Sequence, residues 1–302
     1  MTDQHISQPS STNVAQIQRI SARQKVVGGI PVNRVIPVRE RRLIGAWCFL
    51  DHAGPTIFKG DAEGMRVAPH PHIGLQTFTW MLQGEVLHRD SLGYEQVIRP
   101  GQVNLMTAGH GIAHSEDSFG SEKRLHAAQL WIALPAAIKE MPPRFDHYPH
   151  LPSWAEGACR YTLLMGDYAS YHAPTLHFSP LMGLDIQTSK RVSLTLKLDA
   201  SFEYGIAVLQ GEIAIESLYF RTNELAYWGV GSQTITLTLS DNAHLLLLGG
   251  EPLNEEVLMW WNFVGRNREE IQKAVTCWNA GSDRFGRVFN DNRTPTPAPQ
   301  MP

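Results

Sequence analysis

Residues 67–90 read VAPHPHIGLQTFTWMLQGEVLHRD, and the fold depends on how this stretch divides. From Leu75 onward, Gln76, Phe78, Trp80 and Leu82 alternate with Thr77, Thr79 and Met81. That is a period of two, with one bulky face and one mostly small polar face, so the segment is a strand. Gln83-Gly84 offers a turn into a second strand. Ahead of it, His70 and His72 flank Pro71. In extended backbone, residues i and i+2 share a face, which places both imidazoles together. Pro71 has no N–H to donate and suits an edge or the start of a strand.

The same texture continues outward. Short apolar runs broken by Gly, Pro and Asp recur: LIGAWCFLDHAGP at 43–55, AAQLWIAL at 127–134, RVSLTLKLD at 191–199, QTITLTLSD at 233–241 and AHLLLLGGEP at 243–252. Strands separated by turn signals predict a mainly β chain built as sandwiches or barrels. Leu82-Gln83-Gly84-Glu85 recurs as Leu209-Gln210-Gly211-Glu212, each copy joining two strand-like runs. This echo predicts two similar β domains, 21–145 and 146–286, joined around the proline-rich stretch 134–154. A helix is expected at about 268–280. Asn267 and Glu270 form a capping box, Ile271, Ala274, Val275 and Trp278 form one apolar stripe, and Gly281 ends it. Residues 1–20 and 287–302, rich in Ser, Thr, Asn, Gln and Pro, are expected to be disordered tails.

Composition narrows the function. Hydrophobic residues are 43% of 302, enough for two cores. The net charge of −3 gives no basic surface for nucleic acid. No apolar run reaches the about 20 residues a membrane helix needs. The polar start MTDQHISQPSSTNVAQ lacks an apolar signal core, so a cytoplasmic location is expected. Cys48, Cys159 and Cys277 are odd in number and far apart, which argues against disulfides or a thiolate metal site and for buried small apolar residues. Any metal site must come from histidines and carboxylates.

A second stretch, TAGHGIAHSE at 107–116, supplies them. His114 and Glu116 are again an i, i+2 pair. If their strand neighbours that of His70 and His72, three imidazoles and one carboxylate converge inside a barrel. Alone, each His has a plain alternative as an exposed or hydrogen-bonded core residue. The His110-x-x-x-His114 spacing is not a helical zinc pair, because Gly109 and Gly111 spoil a helix and no Glu follows His110. By parity counted from His70 and His72, Gln76 is expected on the inward face; Phe78 and Trp80 could line an apolar pocket there, although buried strand aromatics are more often core. His52, His88, His126 and the remaining histidines show no paired spacing. Shifted by the offset of the echo, the four candidate ligands fall on Lys197, Asp199, Asp241 and Ala243, so the second half carries no counterpart.

These two stretches, with AAQLWIAL, GGEPLNEEV at 249–257 and NREEIQKAV at 267–275, resemble the pirins, a branch of the cupin superfamily. The resemblance runs from about residue 30 to 286. It implies two tandem cupin-type β-barrels (a bicupin) with a short C-terminal helix. It also implies one metal in the N-terminal barrel, held by His70, His72, His114 and Glu116. Fe(II) is its first choice of metal; Mn, Co, Ni, Cu and Zn share the ligand chemistry. It implies a quercetinase-type dioxygenase acting on a small aromatic flavonol; Glu116, the one inferred carboxylate ligand, is then the candidate proton relay, and Gln76, Phe78, Trp80 and His110 are candidate neighbours of the site. The alternative it implies is a metal-dependent regulator that binds another protein. The chain departs from the family pattern at Ile73, usually Arg, and at Gln76, usually Glu.

Overall fold

A computed structural model describes residues 17–58 and 64–301. Strands dominate, and one α-helix, Arg268–Asn279, is present among these residues. The strands form two units of the same plan. In the first, a seven-stranded antiparallel sheet contains Leu75–Gln83, flanked by Val103–Thr107 and Arg124–Ala133 and continued by Trp47–Ile57 and Ile30–Ile36. It faces a four-stranded sheet that orders Arg66–His72, Ile112–Phe119, Glu85–Asp90 and Glu95–Ile98. The second unit repeats this pairing of a seven-stranded with a four-stranded sheet. The echoed tetrapeptides sit at equivalent places. Gly84 joins Leu75–Gln83 to Glu85–Asp90 at φ +80°, and Gly211 joins Glu203–Gln210 to Glu212–Ile215 at φ +79°.

The two barrels share a core. Trp47, Phe78, Trp80 and Leu105 from the first pack with Leu181, Leu209, Leu246 and Leu248 from the second. The interior of the second barrel is filled by its own apolar side chains, among them Leu163, Leu184, Ile206, Phe220 and Leu247. At the scale of a fully buried aliphatic or aromatic side chain, about 1.5–3 kcal/mol each, these cores supply most of the drive to fold.

Both chain ends depart from the expected tails. Residues 1–16 and 302 lie outside the described residues. Gln18–Ser21, however, is a strand paired antiparallel with Glu224–Trp228, so the N-terminal segment completes the sheet of the second barrel. The segment 287–301 packs back on the first barrel. Thr296 donates its N–H to the Pro69 carbonyl at 2.8 Å, and Trp278 Nε1 donates to the Thr296 carbonyl at 2.8 Å. Arg293 forks onto Asp117 at 2.8 and 2.9 Å. Composition missed this because a proline-rich extended segment needs no ladder of its own once side chains elsewhere satisfy its backbone.

The helix starts as the capping box predicts. Glu270 N–H donates to Asn267 Oδ1 at 2.9 Å, and Asn267 Nδ2 donates to Glu270 Oε1 at 3.0 Å. Its buried stripe, Ile271, Ala274 and Val275, packs against Ile73, Ala113 and Phe263. The helix was expected with the second domain but covers the outside of the first barrel. No helix of the described residues is long and apolar enough to cross a membrane. Cys48 and Cys159 are buried and Cys277 is partly buried, all three as free thiols.

Candidate metal centre

The strand Arg66–His72 pairs with Ile112–Phe119, with His114 directly opposite His70. On its other edge Ile112–Phe119 pairs with Glu85–Asp90, where Glu116 stands opposite His88 and His114 opposite Asp90. A register shift between His114 and Glu116 on the Arg66–His72 side re-aims the chain there. Candidate ligand atoms of His70, His72 and His114 lie within 4.8 Å of one another, as do those of His88, His114 and Glu116. The strand neighbourhood inferred from spacing is therefore real. His88 joins it as a member the sequence reading left out. The pattern of Val86, His88 and Asp90 pointing inward every second residue was the available signal.

The protons of the three clustered imidazoles can be placed. His70 Nδ1 is 2.9 Å from the Ala68 carbonyl and His72 Nδ1 is 3.0 Å from the Asn262 carbonyl. A carbonyl only accepts, so both Nδ1 atoms carry the hydrogen and both Nε2 atoms are bare. With Asp90 ionised and His88 neutral, the 3.2 Å contact of His88 Nε2 with Asp90 Oδ2 puts the hydrogen on Nε2 and leaves His88 Nδ1 as an acceptor. In that state His114 Nδ1, 3.3 Å away, donates and His114 Nε2 is bare too. The Nε2 atoms of His72 and His114 nevertheless face each other at 3.1 Å. Two lone pairs at that distance need a cation between or beside them, so the donor set fits a metal ion.

Electrostatics agree. Burial holds the His70 imidazole down at about 4 despite the Ala68 carbonyl, and holds His72 and His114 well below their ordinary value, with neighbouring imidazoles adding to the effect. Neutral imidazoles are the ligating form. Burial pushes the Glu116 carboxyl up, partly offset by His88 and by a hydrogen bond with Thr79.

A cavity of about 560 Å³ opens above these residues. Its walls include Thr77, Thr79 and Met81 from the strand Leu75–Gln83, and Phe49 stacked on Trp131 with centroids 4.0 Å apart. Asn262, Trp261 and Thr296 reach in from the C-terminal segment. Gln76, Phe78 and Trp80 do not line it, contrary to the parity count. The chain leaves the four-stranded sheet after His72 and enters the seven-stranded one at Leu75. Gly74, at φ +67°, makes the crossing, and a Cβ there would stand 2.1 Å from the Val264 carbonyl oxygen. The crossing inverts the parity. Phe78 and Trp80 then face the second barrel, and Trp80 Nε1 donates to Asp185 Oδ2 at 2.9 Å. Gln76 is fully buried between the barrels and donates to Thr107 Oγ1 at 3.0 Å and to the Leu176 carbonyl at 3.3 Å. Its departure from the family's Glu therefore lies outside the cavity. His110 also lies elsewhere, its backbone carbonyl accepting from Arg284 Nε at 2.7 Å. Ile73 is buried under the helix.

Two tandem barrels of one plan, one carrying an inward histidine cluster and the other filled with apolar side chains, define a bicupin with a single-sided site. The chain belongs to the pirin family: the Pirin model matches residues 29–132, and that of the Pirin C-terminal cupin domain matches 183–286. It is 54% identical over 273 residues to a Pseudomonas aeruginosa protein named as a candidate quercetin 2,3-dioxygenase, spanning 90% of this chain and 86% of that one. It is 32% identical over 283 residues to a pirin-like protein of Caulobacter vibrioides, spanning 91% and 97%. The crystal structure of a quercetin 2,3-dioxygenase from Acinetobacter baumannii matches with a TM-score of 0.92 at 41% identity, covering 95% of this chain and 96% of that one.

Proposed function

We propose that the protein is a mononuclear metal-dependent dioxygenase of the quercetinase type, with His70, His72, His114 and Glu116 as ligands. The observation that carries this is the buried cluster of His70, His72 and His114 imidazoles, with His72 and His114 Nε2 3.1 Å apart, lining a cavity sized for a flat ligand. Its relatives named for quercetin 2,3-dioxygenase support the substrate class. Iron(II) is the first choice of ion.

A metal held by His70, His72, His114 and Glu116 would supply Lewis acidity toward the flavonol oxygens. The protein supplies the rest. Phe49 and Trp131 offer aromatic walls, and Met81 and Val86 exclude water. Glu116, raised by burial and held by Thr79, would accept the proton of the flavonol 3-hydroxyl at its carboxylate on loosening from the metal. His88 and Asp90 hold His114 in the tautomer that presents Nε2.

The test is oxygen uptake with quercetin by the metal-loaded protein. Wild type is expected to consume oxygen and His72→Ala to lose that activity. Uptake by both, or by neither at full metal occupancy, sinks the reading.

A further inference from the structure

Beside the metal cavity lies a smaller recess of about 370 Å³. Arg23, Arg34, Arg39 and Arg42 line it, over an apolar wall that includes Met259 and Trp261. None of the residues lining it is a carboxylate. Arg34 and Trp261 line both spaces, so they form the partition between the recess and the metal cavity.

The charges are poorly compensated. Asp51, on the cavity side, takes Arg34 Nε and Nη2 at 2.8 Å each, which leaves Nη1 as the free donor. Arg23, Arg39 and Arg42 are exposed and, among the described residues, their side chains make no hydrogen bond or ion pair. The chain as a whole carries −3, so this local excess of positive charge is not a general property of its surface. Guanidiniums around a concave apolar wall suit an amphipathic anion. The planar forks meet carboxylate, sulfate or phosphate oxygens in pairs, and the wall meets an attached ring.

We propose that this recess binds the anionic group of an aromatic ligand whose ring system reaches past Arg34 and Trp261 into the metal cavity. This rests on reading that cavity as a substrate site, and it adds to the flavonols taken there those that bear a carboxylate, sulfate or phosphate ester.

The test uses metal-free protein and two dyes that differ by one group, 1-anilinonaphthalene-8-sulfonate and its neutral counterpart N-phenyl-1-naphthylamine. The sulfonate is expected to bind about ten-fold tighter, as charge-assisted hydrogen bonds allow. That preference is expected to shrink as salt rises. Arg39→Ala/Arg42→Ala should abolish the preference and leave the neutral dye within about two-fold of wild type, since both side chains are at the surface. Arg39→Lys/Arg42→Lys should restore part of it by charge alone. Equal affinity for the two dyes, a preference that survives the double alanine variant, or a loss of both dyes together would each overturn the proposal. On metal-loaded protein, the double alanine variant should raise KM for a ring-sulfonated flavonol about ten-fold, with kcat and the KM for quercetin unchanged. If no flavonol is turned over at all, the dioxygenase reading fails while the dye pair still decides the recess.

Discussion

His72 Nε2 and His114 Nε2 face each other at 3.1 Å, and with His88 neutral neither carries a hydrogen. Each ring's other nitrogen is committed, to the Asn262 carbonyl and to His88. In that state the two lone pairs repel, and an ion that fills the site relieves the repulsion. A divalent ion present at about 100 times its Kd should therefore raise stability by roughly 2.7 kcal/mol. His72→Ala and His114→Ala should abolish that gain, which thermal unfolding with and without added metal would show. An equal gain in the variants would place the ion elsewhere.

Asp90 acts on the centre through His88. Its Oδ2 lies 3.2 Å from His88 Nε2, while its Oδ1 accepts the N–H groups of Leu92 and Tyr94. Asp90→Asn can keep the turn through its carbonyl oxygen but presents an NH₂ to His88, which reverses the order of donors along the chain to His114. Metal affinity is expected to fall about 10- to 100-fold, with the unfolding midpoint of the metal-free protein little changed. Chelator competition measures the first and urea unfolding the second. Unaltered affinity would remove His88 from the account.

A second histidine pair sets a pH dependence. His52 Nε2 and His126 Nε2 are 2.7 Å apart at the junction of the barrels, and His52 Nδ1 meets Asn223 Oδ1 at 2.7 Å. Burial, then His52 and His244, holds the His126 imidazole down at about 3, and burial lowers His52 as well. An imidazole lowered by folding is protonated first in the unfolded chain. Its contribution is complete above pH about 6.5 and disappears as pH falls toward 3. Metal-free wild type should lose thermal stability across that window more steeply than His126→Gln. Parallel pH profiles for the two would contradict this.

Gly74 carries the strand crossover that turns the parity around. Its φ is +67°, and a Cβ would meet the Val264 carbonyl oxygen at 2.1 Å. Gly74→Ala should cost about 3 kcal/mol or more, from backbone strain plus displacement of the segment that carries Asn262. Denaturant unfolding gives the stability. A metal titration should show weaker binding, because Asn262 anchors His72.

Arg293 fastens the C-terminal segment over the cavity. It pairs with Asp117 at 2.8 Å and with Asp291, whose carboxyl it holds well below the usual range. Arg293→Ala should cost about 1.5–3 kcal/mol, the range for hydrogen bonds to charged groups. It should also speed hydrogen exchange at the Thr296 N–H, which donates to the Pro69 carbonyl. Exchange at wild-type rates would show that the segment is held without Arg293, by contacts such as Trp278 Nε1 to the Thr296 carbonyl.

The alternation in 75–83, the repeated Leu-Gln-Gly-Glu and the Asn267–Glu270 box were legible in the sequence because each is a local pattern set by backbone period or by one turn. His70, His72, His114 and Glu116 were legible for the same reason, as i, i+2 pairs within single strands. Gln76 was misplaced, and the pocket role for Phe78 and Trp80 gave way to the core one, because parity holds only inside one strand and a glycine crossing between sheets resets it. His88 and Asp90 became site residues only through the register of Glu85–Asp90 against Ile112–Phe119. Trp261, Asn262 and Thr296 reached the cavity only because the C-terminal segment returns to the first barrel. Short-range periodicity determined the strands, the duplication and the i, i+2 pairs of His70 with His72 and His114 with Glu116. Long-range pairing, which depends on loop closure and shared burial rather than on neighbours in sequence, decided which faces meet and what encloses the metal cavity.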